Sequence, residues 1–284
     1  MPYNYINSKY LYLLFLLSAI FYNLKMFGLF FVVTVYVTTF CALFLSEIFI
    51  KYLIKINKNL HRKRQIFAVD GNIGSGKTTL IKIIQNKFDD VVVLEEPLSE
   101  WQKIKDDDGK NLLDKFYNDK VRWSYTFQNF AYITRLKKMM DELSNVENNN
   151  KVIICERSIL TDKNIFAKML YDKKLLTKFE YEIYNYWFDI FEKKYHINNI
   201  IYLKVDPDIS FKRINIRNRS EEKNISKEYV KDVHSYHEKW FNEVKDLGNK
   251  NVLTLNGNTN FINNENDKKV ILNKIRHFIK ISEN

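Results

Sequence analysis

The chain is short of cysteine and of glycine. Of its 284 residues two are cysteine, Cys41 in an apolar run and Cys155 at the end of an apolar strand-like stretch. So few cysteines exclude a disulfide framework and point to a reducing compartment. Only seven glycines occur, and Gly71, Gly74 and Gly76 fall within six residues, so backbone freedom is concentrated at one place. Acidic residues are nearly missing from the first 64 positions, which hold eight Lys and Arg against Glu47 alone. The other 220 residues carry 37 basic and 33 acidic side chains. The net charge of +11 therefore sits largely at the N-terminal end. It does not require a polyanion-binding face, and no nucleic-acid partner is expected.

Around those glycines the chain reads strand, loop, helix. Ile66, Phe67, Ala68 and Val69 are apolar ahead of Asp70, as in a buried parallel strand. They run into Gly71, Asn72, Ile73, Gly74, Ser75, Gly76, Lys77, Thr78 and Thr79. The spacing G-x-x-x-x-G-K-T is that of a loop that cradles a nucleoside triphosphate. Its glycines let backbone N–H groups turn toward the phosphates, Lys77 supplies a point charge, and the Thr78 hydroxyl is placed to hold Mg²⁺. The helix beginning near Lys77 adds the positive end of its dipole.

Upstream, Met26 to Ser46 is 21 residues without a charge, which predicts a membrane span. Tyr10 to Leu24 is a second uncharged run of 15 residues, read as a signal-anchor extension, an interfacial helix or the first leg of a hairpin. Lys51, Lys55, Lys58, Arg62, Lys63 and Arg64 follow with no acid after Glu47, so the positive-inside tendency puts the next domain in the cytosol. The organisation expected is a membrane segment of one or two helices over 1–50, a basic juxtamembrane linker over 51–64 and a catalytic domain over 65–284. The protein is thus expected to be anchored in a lipid bilayer with that domain on the cytosolic side.

From Gln65 onward strands and helices alternate. Strands are expected at 66–70, 91–95, 152–155, 200–203 and 252–255. Helices are expected at 77–88, 119–143, twice within 163–195, from 207, at 226–246 and at 268–281. The fold class this implies is α/β, a five-stranded parallel sheet covered by helices on both faces, preceded by the transmembrane segment.

Open α/β sheets bind ligands at the carboxyl ends of their strands. Glu95 and Glu96 follow the second strand, and Pro97 fixes the backbone that presents Glu96. A carboxylate there suits acceptance of a proton from an attacking hydroxyl. Glu156 and Arg157 follow the third strand, a carboxylate for Mg²⁺ beside a guanidinium for developing charge. By spacing alone an ordinary ion pair accounts for either set equally well. Gln128, Ala131 and Arg135 share one face of the long helix, where they form either a reader for a planar heterocycle or a buried polar seam. Arg213, Arg217 and Arg219 suit a lid over phosphates or a solvated helix end. His234 and His237 lack a third ligand nearby in sequence and are read as structural.

Seven ordered motifs then give a resemblance. They are GNIGSGKTT from Gly71, EPLSEW from Glu96 to Trp101, NLLxxFY from Asn111 to Tyr117, RWSYTFQ from Arg122 to Gln128, ERS from Glu156, RxRxEE from Arg217 to Glu222 and HxxHExW from His234. In this order they resemble the deoxynucleoside kinase family over about Phe67 to Leu255. The resemblance implies an ATP-dependent, Mg²⁺-assisted transfer of the γ-phosphoryl group to a deoxynucleoside 5′-hydroxyl. It implies Glu96 as general base, with Arg157 beside the hydroxyl and Lys77 on the phosphates. Glu156 and Thr78 would stand at Mg²⁺, and Tyr117 and Glu222 on the 3′-hydroxyl. Gln128 would meet the base edge with Phe166 stacking, while Trp101 and Ala131 shape the base site. Arg213, Arg217 and Arg219 would form the lid over ATP. Arg135 with Asp162 resembles the deoxycytidine and deoxyguanosine branch, so deoxycytidine or a purine deoxynucleoside is the expected substrate. A homodimer is also implied. Two departures stand out: Asn218 separates lid arginines where relatives often have glycine, and the first 64 residues have no counterpart in the family. The rival readings are a thymidylate-type nucleoside monophosphate kinase and an ATP-dependent membrane-associated switch.

Overall fold

The computed structural model describes residues 10–18, 36–41, 43–51, 64–148, 151–192, 195 and 197–282. The chain divides into two compact units, Met1–Lys63 and Arg64–Asn284.

In the first unit, residues 10–18, 36–41 and 43–51 are helical. The expected membrane span is corrected here. Residues 26–35 and position 42 of Met26–Ser46 lie outside the described residues, and no helix among the described residues is long and apolar enough to cross a membrane. The membrane-anchored placement falls with the span. Most of the basic linker, 52–63, lies outside the described residues.

The second unit is built on five parallel strands, β1 (Ile66–Asp70), β2 (Val91–Leu94), β3 (Val152–Glu156), β4 (Asn199–Lys204) and β5 (Asn251–Asn256), in the order β2-β3-β1-β4-β5. The expected α/β class holds for this unit. β1 lies at the centre, with Ala68 opposite Cys155 on one side and Ile200 on the other. Side chains alternate across the sheet with period two. Phe67, Val69, Ile154, Ile201 and Leu203 pack on one face against α1 (Lys77–Lys87) and the closing helix Glu265–Ile281. Ala68, Ile153, Cys155, Ile200 and Tyr202 pack on the other face with the remaining helices.

Those helices are α2 (Leu98–Lys103), α3 (Leu112–Asn118), α4 (Lys120–Leu143), α5 (159–172), α6 (Lys178–Glu192), α7 (Pro207–Arg217) and α8 (Lys227–Leu247). Asn111 starts α3 by accepting from the Asp114 N–H, and Asp119 starts α4 in the same way from Arg122. Pro207 stands at the first turn of α7 behind Asp206, as its missing N–H favours. Within α5, Asp162–Ala167 widens into a π-turn, a local insertion that often marks functional positions. Here it carries Asp162 and Phe166.

Candidate active site

The carboxyl ends of β1, β2 and β3 open onto a cleft of about 280 Å³. Its lower wall is the phosphate loop between β1 and α1. Gly74 has φ 75°, and a Cβ there would stand 2.4 Å from the Ser210 carbonyl oxygen. Glycine at 74 thus permits both the left-handed backbone and close packing of the loop on α7. Gly76, also left-handed at φ 97°, leads into α1. Ile73, Gly74, Gly76, Lys77, Thr78 and Thr79 line the cleft. Gly71, Asn72 and Ser75 do not. Asn72 instead turns its amide to the Val230 carbonyl at 2.9 Å and its Oδ1 to the Ile73 N–H.

Lys77 Nζ donates to the Asn72 carbonyl at 2.7 Å. Burial, with Arg157 close by, brings its amine down to about 7 against the partial pull of Glu156, Glu96 and Asp70. A bound polyanion restores the charge. Beside it the Thr78 hydroxyl donates to Glu156 Oε1 at 2.7 Å, while Glu156 Oε2 is buried with no partner. That orphaned oxygen next to a hydroxyl fits a hard divalent cation whose other ligands are water and phosphate oxygens. Among the described residues no group of three or more His, Cys, Asp or Glu could hold a metal by itself.

Glu96, just after β2, meets two guanidiniums through one oxygen: Arg135 Nη2 at 3.2 Å and Arg157 Nε at 3.3 Å. Its side chain is 17% exposed against 3% for Asp162, so of these two carboxylates Glu96 is the more open to the cleft. Burial pushes its carboxyl up, but Arg157, Arg135 and Lys77 outweigh that and hold it below the ordinary carboxylate value. Arg135, from the middle of α4, also reaches Asp162 Oδ2 at 2.9 Å and the Glu156 carbonyl at 2.8 Å. For Asp162 burial wins over Arg135, and its carboxyl is raised.

The remaining wall is aromatic. Trp101 from α2 donates to Thr134 Oγ1 at 2.9 Å and stands edge-on to Phe127 at 5.2 Å. Phe116 stacks on Phe127 at 4.7 Å, and the Arg157 guanidinium lies 4.9 Å over Phe166. Tyr117, Gln128 and Ala131 face the same space, and Gln128 Oε1 is buried without a partner.

At the mouth Arg217 donates to both oxygens of Glu222 at 2.6 Å, and Arg219 lies 3.3 Å from Oε1. All three line the cleft. Arg213 does not, contrary to its expected place in the lid. Its guanidinium is committed to the Ser75 and Gly257 carbonyls at 3.1 and 3.0 Å.

A sheet with this loop and this carboxylate arrangement narrows the candidates to phosphoryl transfer, and comparison of whole sequences decides among them. The profile of the deoxynucleoside kinase family matches residues 67–280. The chain belongs to that family. A probable deoxycytidine kinase of Fowlpox virus (strain NVSL) is 40% identical over 227 residues, covering 78% of this chain and 92% of the viral one. The mitochondrial deoxyguanosine kinase of Xenopus laevis is 33% identical over 245 residues, with the same shares covered. The deoxycytidine kinase of Homo sapiens is 31% identical over 191 residues, 61% of this chain and 74% of that one.

As a deoxynucleoside kinase the enzyme transfers the γ-phosphoryl group of ATP to the 5′-hydroxyl of a deoxynucleoside. That membership sets aside the monophosphate kinase and the switch. The kinase also brings to the cleft Leu98, Leu113, Phe116 and Tyr229, which the sequence did not single out. Tyr229 sits edge-on to Tyr117 at 6.2 Å. Its position on the amphipathic helix α8 resembles that of any buried aromatic, so no local signal distinguishes it.

Proposed function

We propose that this kinase acts on deoxycytidine or a purine deoxynucleoside and that Glu96 is its general base. The 5′-oxygen attacks the γ-phosphorus and its proton passes to Glu96, while the bond from that phosphorus to the β-bridging oxygen breaks and ADP leaves. Lys77 and the loop N–H groups hold the phosphates, and Arg157 faces the negative charge on the transferring group. The single observation that carries this reading is Glu96: ionised, reachable from the cleft and held by Arg135 and Arg157. Such a reaction depends on positioning plus charge stabilisation.

Thr78 and Glu156 are assigned to Mg²⁺, which when bound supplies neutralisation of the phosphate charge. Tyr117 and Glu222 are assigned to the sugar 3′-hydroxyl. Gln128, with its unpartnered Oε1, is assigned to the base edge between Trp101, Ala131 and Phe166. The Arg135–Asp162 pair supports the choice of base, together with relatives named as deoxycytidine and deoxyguanosine kinases. Arg217 and Arg219 are the lid arginines. The kinase domain is assigned to residues 65–284.

The substrate proposal is tested by incubating the full chain with Mg·ATP labelled at the γ-position and each natural nucleoside. Labelled deoxycytidine or purine 5′-monophosphate is expected; label on thymidine alone contradicts the assignment.

A homodimer is supported by one face of α6, where Phe179, Ile183, Tyr186, Trp187 and Ile190 are all exposed. An exposed apolar patch of this kind is typical of surfaces that a lasting subunit contact covers. Sedimentation analysis of the chain against its Trp187→Glu variant tests it, with a dimer expected only for the unaltered chain. A monomer in both samples contradicts it.

A further inference from the structure

Asp70 ends β1 immediately before the phosphate loop and is completely buried. A carboxylate shut away from water needs donors or counter-charges, and three groups supply them to this one. The Gly71 N–H donates to Oδ1 at 3.3 Å and the Thr161 hydroxyl donates to Oδ2. Arg157 Nη1 lies 3.8 Å from Oδ1. His237 is fully buried on α8, where its Nδ1–H donates to the Val233 carbonyl at 2.7 Å and its ring lies parallel to Tyr202. Burial disfavours the protonated ring, so Nε2 is a lone-pair nitrogen 3.8 Å from Asp70 Oδ1 and gives that carboxylate no hydrogen bond. About two turns earlier on the same helix, Val230 accepts from Asn72, so α8 holds the start of the phosphate loop.

Arg157 is the other end of this arrangement. Its φ of 62° is a left-handed backbone, which an arginine keeps only where its surroundings enforce it. The guanidinium is carried back over the loop, so that Nη1 donates to the Gly71 carbonyl at 2.8 Å and Nε faces Glu96. Gly71 is therefore held at both ends, its N–H by Asp70 and its carbonyl by Arg157. Neither Asp70 nor His237 lines the cleft.

We propose that Asp70, braced by Thr161, is a positioning residue that fixes Arg157 and the Gly71 peptide at the distance phosphoryl transfer requires. The proposal rests on the reading of Arg157 as the cation facing the transferring group. A carboxylate that served the fold alone would change the melting temperature and leave the turnover of folded enzyme untouched. One that acts through Arg157 changes turnover in a manner that depends on Arg157.

The test is a double-mutant cycle on the full chain, with kcat and both KM values measured for Asp70→Asn, Arg157→Lys and the pair. Asp70→Asn keeps the volume and an oxygen for the Gly71 N–H while removing the charge. Its kcat is expected to fall about 10- to 100-fold, the scale of a small misplacement of a catalytic group, with each KM within about threefold. In the Arg157→Lys background the same change is expected to cost little more, because both changes undo one interaction. Unaltered kcat in Asp70→Asn, a loss confined to KM, or losses that multiply across the cycle each overturn the proposal. Unaltered kcat in Arg157→Lys removes instead the underlying reading of Arg157, so the two failures are told apart. Should Asp70→Asn not fold, Thr161→Val enters the same cycle, with a several-fold loss of kcat that vanishes in the Arg157→Lys background.

Discussion

Arg135 Nη2 stands 3.2 Å from Glu96 Oε1, so a residue from the middle of the long helix holds the carboxylate that follows β2. The same guanidinium carries Asp162 and the Glu156 carbonyl. In the proposed assignment, choice of base and presentation of the proton acceptor therefore share one side chain.

Replacing Arg135 by Met is expected to do three things at once. Preference shifts toward thymidine, turnover drops on every nucleoside because Glu96 loses a partner, and stability falls by about 3 to 5 kcal/mol as Asp162 is left buried without its counter-charge. Steady-state kinetics on the nucleoside panel and a denaturant titration measure all three. Unchanged preference contradicts the base-reading role.

Lys77 gives a pH signature. Its amine, at about 7 in the nucleotide-free protein, lies below the value of about 10.4 in an unfolded chain. The folded state thus favours the neutral amine. Its contribution is least favourable below pH 7 and improves as pH rises from about 7 to about 10.4. Because a triphosphate restores the charge, ATP binding at pH 8 is expected to take up about one proton. Titration calorimetry in buffers of different ionisation enthalpy reads this directly, and binding without proton uptake contradicts it.

Glu96 has the opposite sign. Burial works against its ionisation, yet Arg157, Arg135 and Lys77 hold it below the ordinary carboxylate value. The stability it contributes is fully present above the unfolded value of about 4.3 and is lost as pH falls through the lower folded value. The acid limb of kcat/KM is accordingly expected below pH ~4.3. A limb near neutrality that disappears in the Glu96→Gln variant contradicts this ionisation state.

Glu222 holds Arg217 and Arg219 together at the mouth. Changing it to Gln removes a charged acceptor from the assigned 3′-hydroxyl site, so KM for the nucleoside is expected to rise about tenfold, as for a lost charge-assisted hydrogen bond. KM for ATP is expected not to rise, because the arginines are released toward the phosphates. Steady-state kinetics with each substrate varied in turn decides it, and the reverse pattern contradicts the assignment.

The central sheet was legible because its strands are apolar without interruption, and the loop because its glycines and Lys77 keep one fixed spacing. Glu96 was legible through Pro97. The short helices α2 and α3 were not, since six or seven residues give no reliable period, so Leu98, Leu113 and Phe116 stood within quoted motifs without a place in the cleft. Arg213 lies one turn from Arg217, yet α7 turns it onto the Ser75 and Gly257 carbonyls, a difference only tertiary packing decides. Asn72 belongs to the loop motif by position but spends its side chain on Val230. In the first unit, absence of charge over Met26–Ser46 points to a membrane span that the described helices do not supply. Charge counting says nothing of where a helix starts and stops, and the described helical segments are too short.

The most direct measurement is turnover and ATP binding by the Glu96→Gln variant. The amide keeps the size of the side chain and loses the capacity to accept the hydroxyl proton. ATP binding should persist while kcat for deoxynucleoside phosphorylation falls by about two to four orders of magnitude, the range for loss of a general base. Turnover at the unaltered rate, with ATP still bound, would contradict the account.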